Sequence, residues 1–202
     1  MKYLINDVGK HFSFPGVVVL DADELTERVH AWNGWEHLKP ATTRIVFPGN
    51  GANEVRRRLG ERWLSQWNID TVAATRFWWP GVTPSAVVGQ LMPIGAFDFE
   101  TTDVVIVDDV VSSGTTISKI RDRNSIWMPN ARWHVVTWIK QRACRLRMFK
   151  SSFFGTEVGE KTYRVPINSL STLLNNAEVA ESYARRNFPN PAAFLTVLEE
   201  LR

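Results

Sequence analysis

The feature that most limits what this chain can fold into is the run Val104-Val105-Ile106-Val107-Asp108-Asp109-Val110-Val111-Ser112-Ser113-Gly114-Thr115-Thr116-Ile117. Four β-branched apolar residues in a row read as a strand covered on both faces, the habit of a parallel sheet. The apolar run ends at two adjacent carboxylates. A turn of small hydroxyl residues around Gly114 follows, and Ile117 and Ile120 then fall at helical spacing. Strand, acidic tip, small polar loop and helix start together predict a ligand site at the carboxyl end of a sheet strand. Loop amides and the hydroxyls of Ser112, Ser113, Thr115 and Thr116 can surround a phosphate, and the helix start adds unpaired N–H groups and its positive dipole end. Carboxylates this close to a phosphate would repel it. They make sense if they hold the hydroxyls of a sugar, directly or through a hydrated Mg²⁺.

This stretch resembles the phosphoribosyl-pyrophosphate (PRPP) signature of the type I phosphoribosyltransferases, an apolar strand, two acids, two apolar residues and a small-residue phosphate loop. The resemblance implies that Asp108 and Asp109 are catalytic, take the ribose hydroxyls and hold Mg²⁺, directly or through water. It also implies that Ser112, Ser113, Gly114, Thr115 and Thr116 grip the 5′-phosphate. An ordinary strand-to-helix turn with a capping Ser or Thr does not call for Asp-Asp at its tip.

At 202 residues the chain reads as one domain with a full core, and 44% hydrophobic and 22% charged residues are ordinary for a globular protein. No apolar run approaches the roughly 18–20 residues that span a bilayer, and the start, Met1-Lys2-Tyr3-Leu4-Ile5-Asn6-Asp7, lacks a secretory core. Cys144 stands alone, so no internal disulfide is expected and a reducing cytoplasm is the natural setting. Its bland role is filler. The net charge of +3 suits a polyanionic substrate without requiring nucleic acid. Most of the nine Trp are expected in the core, with some available to stack on a base.

Along the chain, Gly16 to Leu20 reads as a short strand. A helix from about Ala22 to Trp32 follows, capped by Asp21 or Asp23, with Leu25, Val29 and Trp32 on one face. Arg44 to Phe47 is the next strand. Pro48-Gly49-Asn50-Gly51-Ala52-Asn53 then joins it to a helix expected from about Asn53 to Trp67. The two glycines permit close backbone approach to an anion. In the resembled family the loop after this strand binds the pyrophosphate of PRPP, which assigns that role to Gly49, Asn50 and Gly51. Many relatives carry Arg or Lys there and this chain does not, so backbone N–H groups would do the work, with Arg56 as the nearby helping cation.

Asp70 to Arg76 and Ala86 to Met92 read as strands. The family keeps a mobile catalytic flap between such strands, and Arg76, the cation at its base, is a catalytic candidate, with a solvated strand-end arginine as the plain alternative. A helix from Thr115 to about Arg123, with solvated Lys119, Arg121 and Arg123, leads to the last central strand, Trp133 to Lys140. The order predicts an α/β fold, a mainly parallel sheet flanked by helices, with a core at about 40–140. A small hood from 1–20 and 141–167 and C-terminal helices over 168–202 complete the expectation. Those helices fall around Glu178–Arg186 and after Pro191, packing on the sheet or forming a homodimer contact.

The strand ending at Lys140 and the segment through Tyr163 are similar to the 6-oxopurine (hypoxanthine, guanine, xanthine) branch. There a lysine donates to the purine O6 and an aromatic covers the ring. Lys140 and Tyr163 match those places, and a cation on a carbonyl with a phenol over a ring is reasonable chemistry. A solvated strand end for Lys140 and a core position for Tyr163 are the plain alternatives. One departure matters: the branch has an acid where this chain has Ser112, which has no useful basicity at neutral pH.

The expected function is therefore PRPP-dependent transfer of 5-phosphoribosyl to a nitrogen base, purine-like as in purine salvage, with release of pyrophosphate. Two other readings remain open. One is a PRPP-sensing regulator that binds nucleic acid through Lys140, Arg142, Arg145, Arg147 and Lys150, a cluster equally suited to rim an anionic substrate. The other is a transferase for an unusual acceptor in specialised metabolism.

Overall fold

The computed structural model describes residues 2–77, 85–89, 98–159 and 167–202, with the backbone alone at 75–77, 85–87 and 167. The chain begins with β1 (Lys2–Asn6), β2 (Val17–Asp21) and α1 (Ala22–His30). Next come β3 (Thr43–Pro48), α2 (Gly49–Leu59), a short α3 (Glu61–Leu64), β4 (Asn68–Val72), β5 (Ala74–Phe77) and β6 (Ser85–Val88). β7 (Asp103–Val111), α4 (Thr115–Asn124), β8 (Arg132–Gln141) and β9 (Ser151–Val158) follow. β10 (Ile167–Ser169) then leads into α5 (Leu170–Asn175), α6 (Ala177–Asn187) and α7 (Pro191–Leu201).

Two compact units result, one spanning Thr26–Glu160 and the other Met1–Leu25 with Lys161–Arg202. The larger unit is built on a five-stranded sheet in the order β4-β3-β7-β8-β9, every neighbouring pair parallel. β7 is its middle strand, and Val104, Val105, Ile106 and Val107 are wholly buried, as their continuous β-branched run requires. Helix α4 lays Ile117 and Ile120 on a core shared with Val46, Val104, Ile106, Trp133 and Val135. All strands of a parallel sheet point their carboxyl ends the same way, so the loops after β3, β7 and β8 gather along one edge.

Six expectations are corrected here. β7 does not stop at the acids but runs through Asp108 and Asp109 to Val111. The helix expected over Asn53–Trp67 starts at Gly49 and is broken at Gly60, whose φ of 80° no helix interior accommodates. The strand expected over Asp70–Arg76 is two strands, β4 in the sheet and β5 outside it. β6, expected in the parallel sheet, instead pairs antiparallel with β5 as a separate two-stranded ribbon. β9 lies within the stretch assigned to the hood and forms the edge of the five-stranded sheet. Lys119 and Arg121, expected in solvent, are half-buried, while Arg123 is exposed.

The smaller unit has its own three-stranded parallel sheet, β10-β1-β2. Leu4 packs there with Leu170, Leu173, Tyr183, Phe194 and Leu198. The Phe188 and Phe194 rings stack with centroids 4.5 Å apart, and the Tyr183 hydroxyl donates to the Tyr3 carbonyl at 3.2 Å. Helices α6 and α7 match the expectation for the C-terminal stretch, while β1 and α5 had no counterpart in it.

Candidate functional site

The two acids at the head of the site are fixed by their own backbone. Asp108 Oδ1 accepts the N–H of Asp109 at 2.9 Å, and Asp109 Oδ1 accepts the N–H of Val110 at 2.8 Å. These short-range bonds let a strand continue through residues that usually leave it. Asp108 is buried and Asp109 half-buried, so the pair stands at the carboxyl edge of the sheet with Asp109 the more accessible.

Beyond Val111 the chain bends through Ser112 and Ser113 to Gly114, which has φ 78° and ψ 0° and opens α4. The left-handed conformation suits glycine. A Cβ there would also lie 3.1 Å from Cys144 Sγ and 3.2 Å from Leu146 Cδ2. Thus the segment after β8 closes the underside of the loop, and Cys144 is part of that floor. Burial pushes its thiol pKa up, against the weaker pull of Lys140 and Arg145, which fits the filler role.

No side chain caps α4 at Gly114, and its first helical bond runs from Ser118 N–H to the Gly114 carbonyl at 2.9 Å. The Ser113 and Thr115 hydroxyls are 2.9 Å apart, and Thr115 N–H reaches Ser113 Oγ at 3.3 Å. Ser113 is exposed, Ser112 and Thr115 are half-buried and Thr116 is buried. Hydroxyls beside an uncapped helix start form an anion cup.

The glycine stretch joins this site from the neighbouring strand. Gly49, Asn50 and Gly51 form the first turn of α2 instead of a free loop, and Pro48 offers no side-chain cap. A Cβ on Gly51 would sit 2.5 Å from Oδ1, Oδ2 and Cγ of Asp109. The missing side chain is what lets the carboxylate and the start of α2 share the space. Gly49, with φ +68°, would place a Cβ 3.0 Å from the Ala74 carbonyl, so the root of the β5–β6 ribbon lies against the same turn. Arg76 is on β5 opposite Ala86, with only its backbone described. Arg56 lies further along α2 and is half-buried, while Glu54 engages Arg57 and Arg58.

At the end of β8, Lys140 pairs in register with Val111 on one side and Glu157 on the other. Its ammonium donates to Glu157 Oε2 at 2.8 Å and lies 4.7 Å from the centroid of the Phe154 ring. Lys140 is buried, so the plain alternative of a solvated strand end does not describe it. Arg142 Nε donates to Glu157 Oε1 at 3.1 Å. Hydrogen bonds from Lys140 and then Arg142 hold the Glu157 carboxyl below its ordinary pKa. Sequence reasoning missed Glu157, since only the β8–β9 register sets it beside Lys140. Tyr163 lies outside the described residues. Among the described residues no three His, Cys, Asp or Glu side chains converge as a metal site, and no helix is long and apolar enough to cross a membrane.

A five-stranded parallel sheet flanked by helices is the type I phosphoribosyltransferase fold. Solved structures with that fold include the hypoxanthine phosphoribosyltransferase of Staphylococcus aureus (15% identity, 69% of this chain and 75% of that chain, TM-score 0.53). The hypoxanthine phosphoribosyltransferase of Trypanosoma cruzi in complex with the product IMP is similar to the same degree (12% identity, 76% and 85% covered, TM-score 0.50). A hypothetical protein of Neisseria gonorrhoeae with bound ppGpp matches from end to end (14% identity, 100% and 99% covered, TM-score 0.54). No protein-family model and no curated protein matches the sequence.

Proposed function

We propose that the chain is a PRPP-dependent phosphoribosyltransferase that moves 5-phosphoribosyl to a nitrogen base, purine-like, and releases pyrophosphate. The observation that carries this reading is the meeting of Asp109 with Gly51. It brings a diol-binding acid and an uncapped helix start together within reach of one sugar phosphate. A ring nitrogen of the base attacks C1 of PRPP, the bond from C1 to the pyrophosphate oxygen breaks, and the ribose ring carries positive charge between the two events.

The protein's part in that reaction is positional and electrostatic. Ser112, Ser113, Gly114, Thr115 and Thr116 hold the 5′-phosphate, and Asp108 and Asp109 hold the ribose hydroxyls and offset the ring's positive charge. Backbone N–H groups at Gly49, Asn50 and Gly51 receive the departing pyrophosphate, and Arg76 at the root of the ribbon is a further cation for it. Lys140, with Tyr163, serves the base. A two-carboxylate donor set suits Mg²⁺, which commonly binds through one or two carboxylates and completes its shell with substrate oxygens and water. Asp108 and Asp109 would hold it, and when bound it supplies charge neutralisation on the leaving group.

The test is pyrophosphate release from PRPP and Mg²⁺ across a panel of nucleobases. Native protein is expected to turn over at least one of them, and the double variant Asp108→Asn, Asp109→Asn to lose at least about 100-fold. A native rate in the double variant would mean that the site has been misplaced.

One observation favours a second reading. The neighbour that matches from end to end binds ppGpp, a guanosine carrying a diphosphate at both the 5′ and 3′ positions. In this reading the same cup holds a guanosine polyphosphate and the chain acts as a nucleotide sensor. Tight ppGpp binding with no pyrophosphate release from any base would favour it. A nucleic-acid role is less supported, because Glu157 already pairs with Lys140 and Arg142 of the basic cluster.

A further inference from the structure

We propose that Ser151, His134 and Asp103 form a second, nucleophilic site, which takes the acyl group of a small carboxylic ester onto Ser151 and passes it to water. It lies at the end of β7 opposite Asp108 and Asp109, so it stands or falls independently of the phosphoribosyltransferase reading. Strand register builds it. His134 on β8 is the partner of Ser151 on β9 and of Val105 on β7, two residues beyond Asp103. Residues two apart on a strand share a face, and the imidazole bridges the other two side chains. Its Nδ1 lies 2.7 Å from Ser151 Oγ and its Nε2 lies 2.9 Å from Asp103 Oδ1. A hydroxyl within hydrogen-bond reach of a base that a third group orients is the arrangement that activates serine, whatever the fold around it.

Each member is in the state its role needs. Arg132 donates to both Asp103 oxygens, at 2.9 and 2.8 Å, and these bonds help keep the carboxyl ionised. A carboxylate only accepts, so the imidazole proton sits on Nε2 and Nδ1 is left to take the Ser151 proton. Burial keeps His134 neutral at pH 7 and thus able to act as a base. Ser151 is half-buried, at the edge of the sheet, and a solute can approach it. Lys150 is exposed beside it, near enough for its charge to be felt at the imidazole, and a cation there steadies the negative charge on an attacked carbonyl oxygen. Trp32 flanks the imidazole with ring centroids 6.2 Å apart, and Phe153 stacks on Trp32, which gives an acyl chain apolar surface. In the first step Ser151 Oγ bonds to the carbonyl carbon while its proton moves to Nδ1. The bond to the alcohol oxygen then breaks, and the alcohol leaves with that proton. Water attacks the acyl-serine in turn, gives a proton to Nδ1 that returns to Ser151 Oγ, and the carboxylic acid departs.

The full chain is treated with a fluorophosphonate, a reagent for activated serines, and the adduct is located by peptide mass mapping. Hydrolysis of p-nitrophenyl acetate is followed in parallel. The label is expected on Ser151 and not on its exposed neighbour Ser152. His134→Gln should slow both reactions at least about 100-fold, the contribution of a general base. Ser151→Ala should abolish the label and the burst of nitrophenol, whereas Ser152→Ala should change neither. Native protein that takes no label, or takes it anywhere but Ser151, overturns the proposal without reference to any variant. Labelling of His134→Gln at the native rate overturns it as well, because Ser151 would then react without its base.

Discussion

Gly51 and Asp109, which are 58 residues apart in the chain, occupy one space: a Cβ on the glycine would lie 2.5 Å from both carboxylate oxygens. Side chains do not tolerate such a distance, and Asp109 is too short to swing far from its own strand. Gly51→Ala should therefore shift the carboxylate and lower ribose 5-phosphate affinity at least about tenfold, the scale of a lost charge-assisted bond. Alanine favours a helix over glycine by about 1 kcal/mol, which offsets part of the cost of that overlap, so the melting temperature should change little. Calorimetric binding beside a thermal melt separates the two effects, and unchanged affinity would show that the two stretches do not share a ligand.

Gly114 is constrained twice, by its positive φ and by the floor that Cys144 and Leu146 place beneath it. Gly114→Ala should destabilise the fold by about 1–3 kcal/mol and weaken phosphate binding. Adding Cys144→Ala removes the Sγ contact but not the backbone strain. The double variant should thus recover part of the lost stability, a coupling that a double-mutant cycle in urea measures directly. Full additivity would separate the loop from that floor.

How much of this was legible beforehand follows from where each signal resides. The acid pair, the loop and the start of α4 sit in one unbroken stretch, so residue types alone located them, and α4 begins at Thr115 as expected. The continuation of β7 through the acids was hidden because Asp is usually depleted in strands; the bonds from Asp109 N–H and Val110 N–H that permit it are a matter of geometry. Apolar residues at 55, 59, 63 and 67 concealed the break at Gly60, since a spacing of four survives a turn that a helix does not. The β5–β6 ribbon was misassigned because an apolar run does not state the direction of its partner. Glu157 was out of reach for the same reason, as its meaning depends on standing opposite Lys140.

The lone thiol gives an independent probe of the loop. Cys144 is buried and its pKa is pushed up chiefly by burial, so the reactive thiolate is scarce at neutral pH. Native protein should react with an aromatic disulfide reagent at pH 8 at least about 100-fold more slowly than urea-unfolded protein. Ribose 5-phosphate should slow the reaction further by holding the segment around Gly114 in place. Fast labelling of native protein would contradict the packing of Cys144 under the loop.

At the opposite end of β7 from the acids, Asp103 ties three strands together. His134 Nε2 lies 2.9 Å from Asp103 Oδ1 and Nδ1 lies 2.7 Å from Ser151 Oγ, while Arg132 donates to both Asp103 oxygens at 2.9 and 2.8 Å. A carboxylate only accepts, so the neutral imidazole donates from Nε2 and accepts the Ser151 hydroxyl at Nδ1. Burial lowers the His134 pKa and outweighs the raising effect of Asp103. For a base with a depressed folded pKa the unfolded chain takes up the proton first. Stability is then complete above the unfolded value of about 6.5 and falls as pH drops through the folded pKa. Asp103 is subject to opposing burial, but bonds from Arg132, His134 and Thr102 prevail and hold it low. Its contribution is therefore present above the unfolded carboxylate value of about 3.9 and is lost only at more acidic pH. Melting temperature against pH should accordingly fall in two stages. His134→Gln should flatten the stage below about pH 6.5, leaving a smaller slope from His30, whose pKa burial also lowers, and should leave the acidic stage in place. An unaltered first stage in that variant would assign the loss of stability to other groups.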